Sequence, residues 1–233
     1  MSSRLMPGCW MRSLRAYRIF SLQYGHLRSA ATMRSIDRAG EPLPWITYPA
    51  VEFLKQLDLS DKSVFEYGCG GSTIFWGRAA RTVDSVEHVE DFYREIRPML
   101  PSNCSLSLEI YPEAYLNAIA RRGEPYDVIV IDGHSRVACS RIAPAYLKPG
   151  GFIVLDNSEW FYEAAANLRE ADLIEVDMSG FAPINDFVST TSFFFHRDYR
   201  VKPKADRQPV GAIGSVPKPN FSKVTGPAER SAP

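Results

Sequence analysis

Short apolar runs alternate with helix-like segments over residues 45–200 of this chain. Such alternation is typical of βαβ units, in which helices connect the parallel strands of one sheet. The run over 126–132 has the strongest strand pattern, and its apolar centre suits a central strand buried on both faces. The pattern predicts seven strands, over 63–67, 82–87, 104–110, 126–132, 152–155, 172–178 and 191–196.

The last two predicted strands are separated only by a loop, because no helix fits into residues 179–190. Strands joined in this way pair antiparallel. We therefore predict a Rossmann-like, doubly wound α/β sheet of seven strands, mostly parallel with an antiparallel last strand. The predicted organisation is a basic N-terminal extension over 1–44, one domain over 45–200 and a disordered Pro-rich tail over 201–233.

Charge is unevenly distributed along the chain, although it sums to zero over the 233 residues. Residues 1–36 contain six arginines and no acidic residue, whereas residues 37–199 carry a net charge of −11. An acidic domain repels phosphate backbones, so we do not expect it to bind nucleic acid. The Arg-rich start has the composition of an organellar targeting peptide. The interpretation that we favour is a helical extension over the active site, or a start codon placed too early with Met11 or Met33 as the real start.

The four cysteines show neither the spacing of a zinc site nor that of a disulfide framework. This pattern fits a reducing compartment, so we expect a cytoplasmic protein, with import into an organelle as the alternative. No apolar run approaches the roughly 18 residues that cross a bilayer. The pattern specifies no oligomeric state.

A glycine-rich turn, Glu66-Tyr-Gly-Cys-Gly-Gly-Ser72, follows the first predicted strand and leads into a helix. Glycines let a ligand approach the backbone closely, and the start of the helix offers free N–H groups. Glu87 ends the second predicted strand, where an acid can accept hydrogen bonds from ribose hydroxyls. The spacing therefore predicts a nucleoside-containing ligand.

Two details of the turn separate the cofactor classes. The dinucleotide fingerprint has a third glycine, and this chain has Thr73 in its place. Glu66 lies two residues before Gly68, where its carboxylate repels a pyrophosphate but attracts an ammonium group. Two other functions stay open for the chain: that of a nicotinamide-dependent oxidoreductase, and that of a non-catalytic nucleoside-binding protein of the same fold.

The turn resembles motif I of the class I S-adenosylmethionine-dependent methyltransferases, E/D-x-G-x-G-x-G, with Ser72 in place of the last glycine. The resemblance covers roughly residues 45–197 and includes the terminal hairpin. It implies that the turn cradles the methionine part of the cofactor and that Glu87 holds the ribose. The implied cofactor-binding residues are Glu66, Gly68, Cys69, Gly70, Ser72, Glu87 and Asp132.

Two polar clusters, Asp132-Gly-His134 and Asp156-Asn157, follow the fourth and fifth predicted strands. Ligands of open α/β sheets bind at these carboxyl ends, and two carboxylates with one amide suit Mg²⁺. The constellation is similar to that of the metal-dependent catechol-type O-methyltransferases. That similarity implies Asp132, Asp156 and Asn157 as metal ligands and an oxygen atom as methyl acceptor.

The chain departs from those enzymes at Ser135, where they usually have a catalytic lysine. His134 is then the candidate base, because its ordinary pKa lies near neutrality. Metal-free transfer assisted by His134 is one alternative. In another, Asp132 is only a cofactor-side acid and Asp156-Asn157 a turn that caps the next helix. The predicted reaction is methyl transfer to a small-molecule acceptor, preferably at oxygen.

Two further groups are candidate contacts for the acceptor. Asn185 and Asp186 lie in the loop between the last two strands, and Trp160, Phe161 and Tyr162 follow the fifth strand, where they can form an aromatic wall. Ordinary turn preference and core packing explain these residues as well.

Overall fold

A single mixed sheet of seven strands forms the centre of the computed structural model, which describes residues 8–206 and 209–216. The strands are β1 Ser63–Tyr67, β2 Thr82–Glu87, β3 Cys104–Leu108, β4 Tyr126–Ile131, β5 Leu147–Asp156, β6 Ile174–Phe181 and β7 Val188–Phe195. Their order across the sheet is β3-β2-β1-β4-β5-β7-β6. Only β7 runs antiparallel to its neighbours, so the predicted fold class is confirmed.

Eight α-helices lie before and between these strands in the described residues. They are α1 Cys9–Arg18, α2 His26–Thr32, α3 Tyr48–Lys55, α4 Gly71–Ala79, α5 Glu90–Ile96, α6 Pro112–Asn117, α7 Arg136–Ile142 and α8 Tyr162–Glu170. The helices α5 and α7 each continue into a 3₁₀ turn. Pro98 and Pro144 lie in these turns, and proline has no N–H with which to continue an α-helical ladder.

Both faces of the central strands of the sheet are buried. On β4, Val128 and Val130 face a core shared with α3 and α4, whereas Ile129 and Ile131 face a core shared with α7 and α8. Successive strand residues point to opposite faces, so a strand covered on both sides must be continuously apolar. This burial on both faces explains the apolar run from which the central strand was predicted.

Two sheet elements differ from the prediction. The fifth strand was predicted over 152–155, but β5 begins at Leu147 and includes residues 148–151, with an irregularity in its pairing with β4. The last two strands are longer than predicted and leave only residues 182–187 as the connecting loop.

The N-terminal segment packs onto the domain near this loop. The ring of Phe20 lies 4.2 Å from that of His26 and 4.9 Å from that of Phe181, measured between centroids. After residue 200 the chain still forms backbone hydrogen bonds, from Asp58 N to Lys202 O at 2.7 Å and from Lys204 N to Gln56 O at 2.8 Å. These bonds continue the folded body past the predicted boundary, and residues 217–233 of the predicted tail lie outside the described residues. None of the helices described is long and apolar enough to cross a membrane.

Candidate active site

The glycine-rich turn after β1 touches the loop after β4 through bare backbone. Gly68 has a φ of +102°, which favours glycine, and a methyl group there would lie 3.1 Å from Gly133 Cα. A methyl group at Gly133 would lie 2.2 Å from the hydroxyl of Tyr115 and 2.7 Å from Gly68 N. The two loops therefore form one surface at the carboxyl edge of the sheet, where β1 and β4 are neighbours.

Glu66 is buried near the end of β1 and stabilises the glycine-rich turn through hydrogen bonds. Its Oε2 accepts hydrogen bonds from Thr73 Oγ1 at 2.6 Å and from Ser85 Oγ at 3.1 Å, and Thr73 Oγ1 in turn accepts one from Gly70 N. Its Oε1 has no hydrogen-bond partner. Burial raises the pKa of Glu66 to about 7, and the nearby Glu87 charge adds to the rise, although neighbouring hydroxyls oppose it. A buried carboxylate with one unpaired oxygen suits a cationic ligand group.

Glu87 ends β2 and is also buried. Its Oε1 accepts hydrogen bonds from the backbone N–H groups of His88 at 2.7 Å and Val89 at 2.8 Å, which fixes the carboxylate. The Cys69 thiol lies beside it, and burial together with the charges of Glu87 and Glu66 raises the pKa of that thiol. Cys69 is therefore an unreactive side chain of the turn, because only the thiolate is a good nucleophile.

His134 is exposed and lies beside His88, which follows β2. Its ring stacks on that of His88, with centroids 4.7 Å apart and an interplanar angle of 22°. His88 Nδ1 lies 3.0 Å from Glu87 Oε1. The backbone N–H of His134 donates to the Tyr115 hydroxyl at 3.1 Å, so the loop that carries His134 is held while its ring faces solvent.

Asp132, Asp156 and Asn157 come together as predicted, but Arg136 lies among them. Its Nη2 is 2.9 Å from Asp132 Oδ1, and its Nη1 donates to Asn157 Oδ1 at 3.0 Å. A divalent ion at this place would be repelled by the guanidinium and would compete for oxygens that are already bound. The described residues also contain no group of three His, Cys, Asp or Glu side chains that could hold a metal ion. The expected Mg²⁺ site is therefore not supported, and these residues do not fit the ion.

The third expected ligand, Asp156, is turned into the protein. Its Oδ1 accepts a hydrogen bond from Thr191 Oγ1 at 2.6 Å, and Thr191 Oγ1 accepts one from Thr47 N at 3.0 Å. Burial and the charge of Asp132 raise the pKa of Asp156 well above its ordinary value. Burial also raises the pKa of Asp132, to about 6, although Arg136 opposes this rise. Asp156 therefore ties β5 to β7, whereas Asp132 stays beside the cofactor turn.

The three aromatic residues after β5 have different environments. Phe161 packs against the core and lies under the Arg136 guanidinium, 4.9 Å from its ring centroid to Cζ. Trp160 is 57% exposed and pairs with Phe187 at 6.0 Å between centroids, and Tyr162 is 71% exposed. Trp160 and Phe187 therefore form an aromatic rim beside Asn157, and Phe161 belongs to the interior.

Asn185 is bound by the N-terminal segment. Trp45 Nε1 donates to its Oδ1 at 2.9 Å, and its backbone oxygen lies 2.8 Å from His26 Nε2. Asp186, the next residue, is exposed. The loop between β6 and β7 is thus bound by His26 of the predicted extension and by Trp45 at the start of the predicted domain, and both acceptor oxygens of Asn185 are occupied.

Sequence reasoning missed the partners of the acidic residues, which are Thr73, Ser85, His88, Arg136 and Thr191. It also missed Tyr115, whose hydroxyl accepts the backbone N–H of His134. Two signals were present. His88 directly follows Glu87, and Arg136 lies four residues after Asp132, a spacing that brings an acid and a base together at a helix start.

Comparison with known proteins gives a shared fold. No family model and no curated protein matches the sequence. Among solved structures, the O-methyltransferase TomG from Streptomyces achromogenes, in complex with S-adenosylmethionine, is similar over 82% of this chain and 99% of its own, with 15% identity and a TM-score of 0.52. The chain has the fold of a methyltransferase. The precorrin-6y C5,15-methyltransferase from Geobacter metallireducens is similar over 64% of this chain and 87% of its own, at 15% identity and a TM-score of 0.52.

Proposed function

We propose that the chain binds S-adenosylmethionine at the glycine-rich turn and transfers its methyl group to a small-molecule acceptor, at an oxygen atom. The observation that carries this proposal is the pair of buried acids that flank the turn, Glu66 on β1 and Glu87 on β2. Glu66 Oε1 is unpaired, which matches the ammonium group of the methionine part. Glu87 is fixed by two backbone N–H groups, which matches a ligand for the ribose hydroxyls.

A dinucleotide fits these residues less well. A pyrophosphate over the turn would lie above the buried Glu66 carboxylate and would be repelled by it. The same carboxylate stabilises a cation, because the low local dielectric strengthens their attraction. Binding of a nicotinamide dinucleotide therefore requires a protonated, neutral Glu66, whereas binding of S-adenosylmethionine uses the ionised Glu66 carboxylate.

In the proposed reaction, the sulfonium cofactor supplies an electrophilic methyl group. The remaining work falls to the protein, which orients the cofactor and removes a proton from the acceptor hydroxyl. We assign proton removal to His134, because its ring is exposed and forms no hydrogen bond with a described side chain. Asp132 is less suited as the base, since Arg136 holds its Oδ1. Trp160 and Phe187, whose rings lie 6.0 Å apart between centroids, would contact the acceptor.

Calorimetry with S-adenosylhomocysteine and NADH tests the cofactor. We expect the homocysteine ligand to bind, NADH not to bind, and Glu87→Ala to weaken binding by about 100-fold through loss of charge-assisted hydrogen bonds. Glu66→Ala should weaken it to a similar extent. Asp61→Asn is the control, because Asp61 precedes β1 at the opposite edge of the sheet. Binding of NADH alone, or unchanged affinity in both glutamate variants, contradicts the proposal.

Transfer itself is tested with cofactor carrying an isotope-labelled methyl group and an extract of small metabolites. We expect label in a low-molecular-weight product and a second product, S-adenosylhomocysteine, in equal amount. His134→Asn should lower kcat about 100-fold at neutral pH, with His196→Asn as the control at the far edge of the sheet. If the cofactor binds and the label never leaves it, the chain is a non-catalytic nucleoside-binding protein.

A further inference from the structure

The guanidinium of Arg136 fills a cage of five oxygen atoms. Its Nε donates to Gly133 O at 3.1 Å, its Nη1 to Asp156 O at 2.5 Å and Asn157 Oδ1 at 3.0 Å, and its Nη2 to Asp132 O at 3.0 Å and Asp132 Oδ1 at 2.9 Å. A guanidinium has five N–H donors, so every donor of this side chain has an acceptor. No donor is left for a substrate.

The acceptors come from two separate loops. Asp132 and Gly133 follow β4, whereas Asp156 and Asn157 follow β5. Asn157 has a φ of +51°, a backbone conformation that costs free energy in a residue other than glycine, and its side chain is held by Arg136. The Arg136 side chain is only 13% exposed and lies over the ring of Phe161, so it cannot leave the cage without breaking buried contacts. One cation therefore joins the two loops.

The five acceptors are one carboxylate oxygen, one side-chain amide oxygen and three backbone carbonyl oxygens, which are the oxygen types that hard cations bind. In the folded protein they are spaced for the N–H groups of a guanidinium. We infer that this is a cation site filled permanently by the protein's own Arg136, which positions Asp132 and Asn157 in place of a metal ion. It follows, if the proposed methyl transfer is correct, that turnover needs no divalent cation. The cage itself does not depend on that proposal.

The inference predicts that removal of the guanidinium opens the cage to free cations. The thermal midpoint of Arg136→Ala should lie about 10 °C below that of the wild type, because the truncation leaves buried oxygens unpaired. Millimolar ethylguanidinium or Ca²⁺ should raise the midpoint of this variant by several degrees in a saturable manner. Tetramethylammonium, which has no N–H group, should not do so at the same ionic strength. The wild type should respond to none of the three cations.

Arg141→Ala is the matched control, because Arg141 is an exposed arginine on the same helix. It should show neither the loss nor the rescue. If the Arg136 side chain only filled space, no free cation would restore the thermal midpoint of Arg136→Ala. Selective rescue of that midpoint by ethylguanidinium and Ca²⁺ therefore distinguishes a filled cation site from ordinary packing.

Arg136→Lys covers the case in which the alanine variant does not fold. Lysine supplies the charge but only three donors, so this variant should be intermediate in midpoint and should not respond to Ca²⁺. Saturable Ca²⁺ or Mg²⁺ binding by the wild type overturns the inference, and so does an alanine or lysine variant that behaves as the Arg141 control. These readouts need no turnover. They therefore test the cation site even if the chain transfers no methyl group. The separate prediction that turnover needs no divalent cation is tested by methyl transfer by the wild type in the presence of EDTA.

Discussion

The two halves of the carboxyl edge use the same residue type in opposite ways. On the β1–β2 half, Glu66 keeps an unpaired Oε1, and the carboxylates there have no basic side chain of the domain within hydrogen-bond distance except His88. On the β4–β5 half, Asp132 and Asn157 are bound by Arg136 and Asp156 is bound by Thr191. A buried acid thus indicates a ligand site where one of its oxygens lacks a partner, as in Glu66, and internal structure where Arg136 or Thr191 binds it, as in Asp132 and Asp156.

The largest expected effect comes from disrupting the contact between the two halves. Gly133→Ala would place a methyl group 2.2 Å from the Tyr115 hydroxyl and against the backbone of the Gly68 turn, so we expect a loss of about 4 kcal/mol in the free energy of unfolding. Urea denaturation measures it. Gly123→Ala is the matched control: its φ is +73° but its site is open, so only about 1 kcal/mol of backbone strain is expected. Equal losses in the two variants would show that the halves do not touch as described.

A smaller effect concerns Glu66 of the β1–β2 half and depends on pH. The pKa of Glu66 is about 7 in the folded protein and near 4.5 when unperturbed, so the folded state binds the proton more tightly. The stability that this proton contributes is complete below about pH 4.5 and is lost as the pH rises through 7. Glu66→Gln should therefore be more stable than the wild type at pH 8, by about 2 kcal/mol, and should lose this advantage at pH 4. Urea denaturation at both pH values decides it, and a pH-independent difference contradicts the raised pKa.

The smallest expected effect is the difference in unfolding free energy between two variants, each of which removes one hydroxyl group from one half. Thr191→Val leaves both Asp156 and the Thr47 N–H without their partner, so we expect a loss of about 2 kcal/mol. Ser85→Ala should cost about 1 kcal/mol, since Glu66 Oε2 keeps its bond to Thr73. A greater loss in the Ser85 variant would reverse the assignment of the structural and the ligand-binding half.

Most of the fold could be predicted because a strand that is buried on both faces has a continuous run of apolar residues in the sequence. The bounds of β1 and β2 were predicted to the residue, and the hairpin followed from the absence of a helix between its strands. The start of β5 was not predicted, since Lys148-Pro-Gly-Gly151 has the composition of a turn and becomes part of a strand only by pairing at Tyr126.

The candidate site could be predicted only in part, because sequence spacing places side chains at an edge without showing what satisfies them. Asp132, Asp156 and Asn157 do lie together, yet the cation among them comes from Arg136, which reaches back over its own helix start. Asn185 likewise lies in the expected loop, but Trp45 and His26, distant in sequence, bind its oxygens. Contacts of this kind depend on tertiary packing, which a single sequence does not display.

The backbone contact between Gly68 and Gly133 has a kinetic consequence. Two loops that meet without side chains between them have no rotamers to rearrange and little room to slide. The contact surface of the two loops is thereby ordered in the folded protein, and a ligand that binds there as proposed does not have to pay the entropy of assembling it. We expect exchange of that ligand to be governed by the exposed side chains of Trp160 and Phe187.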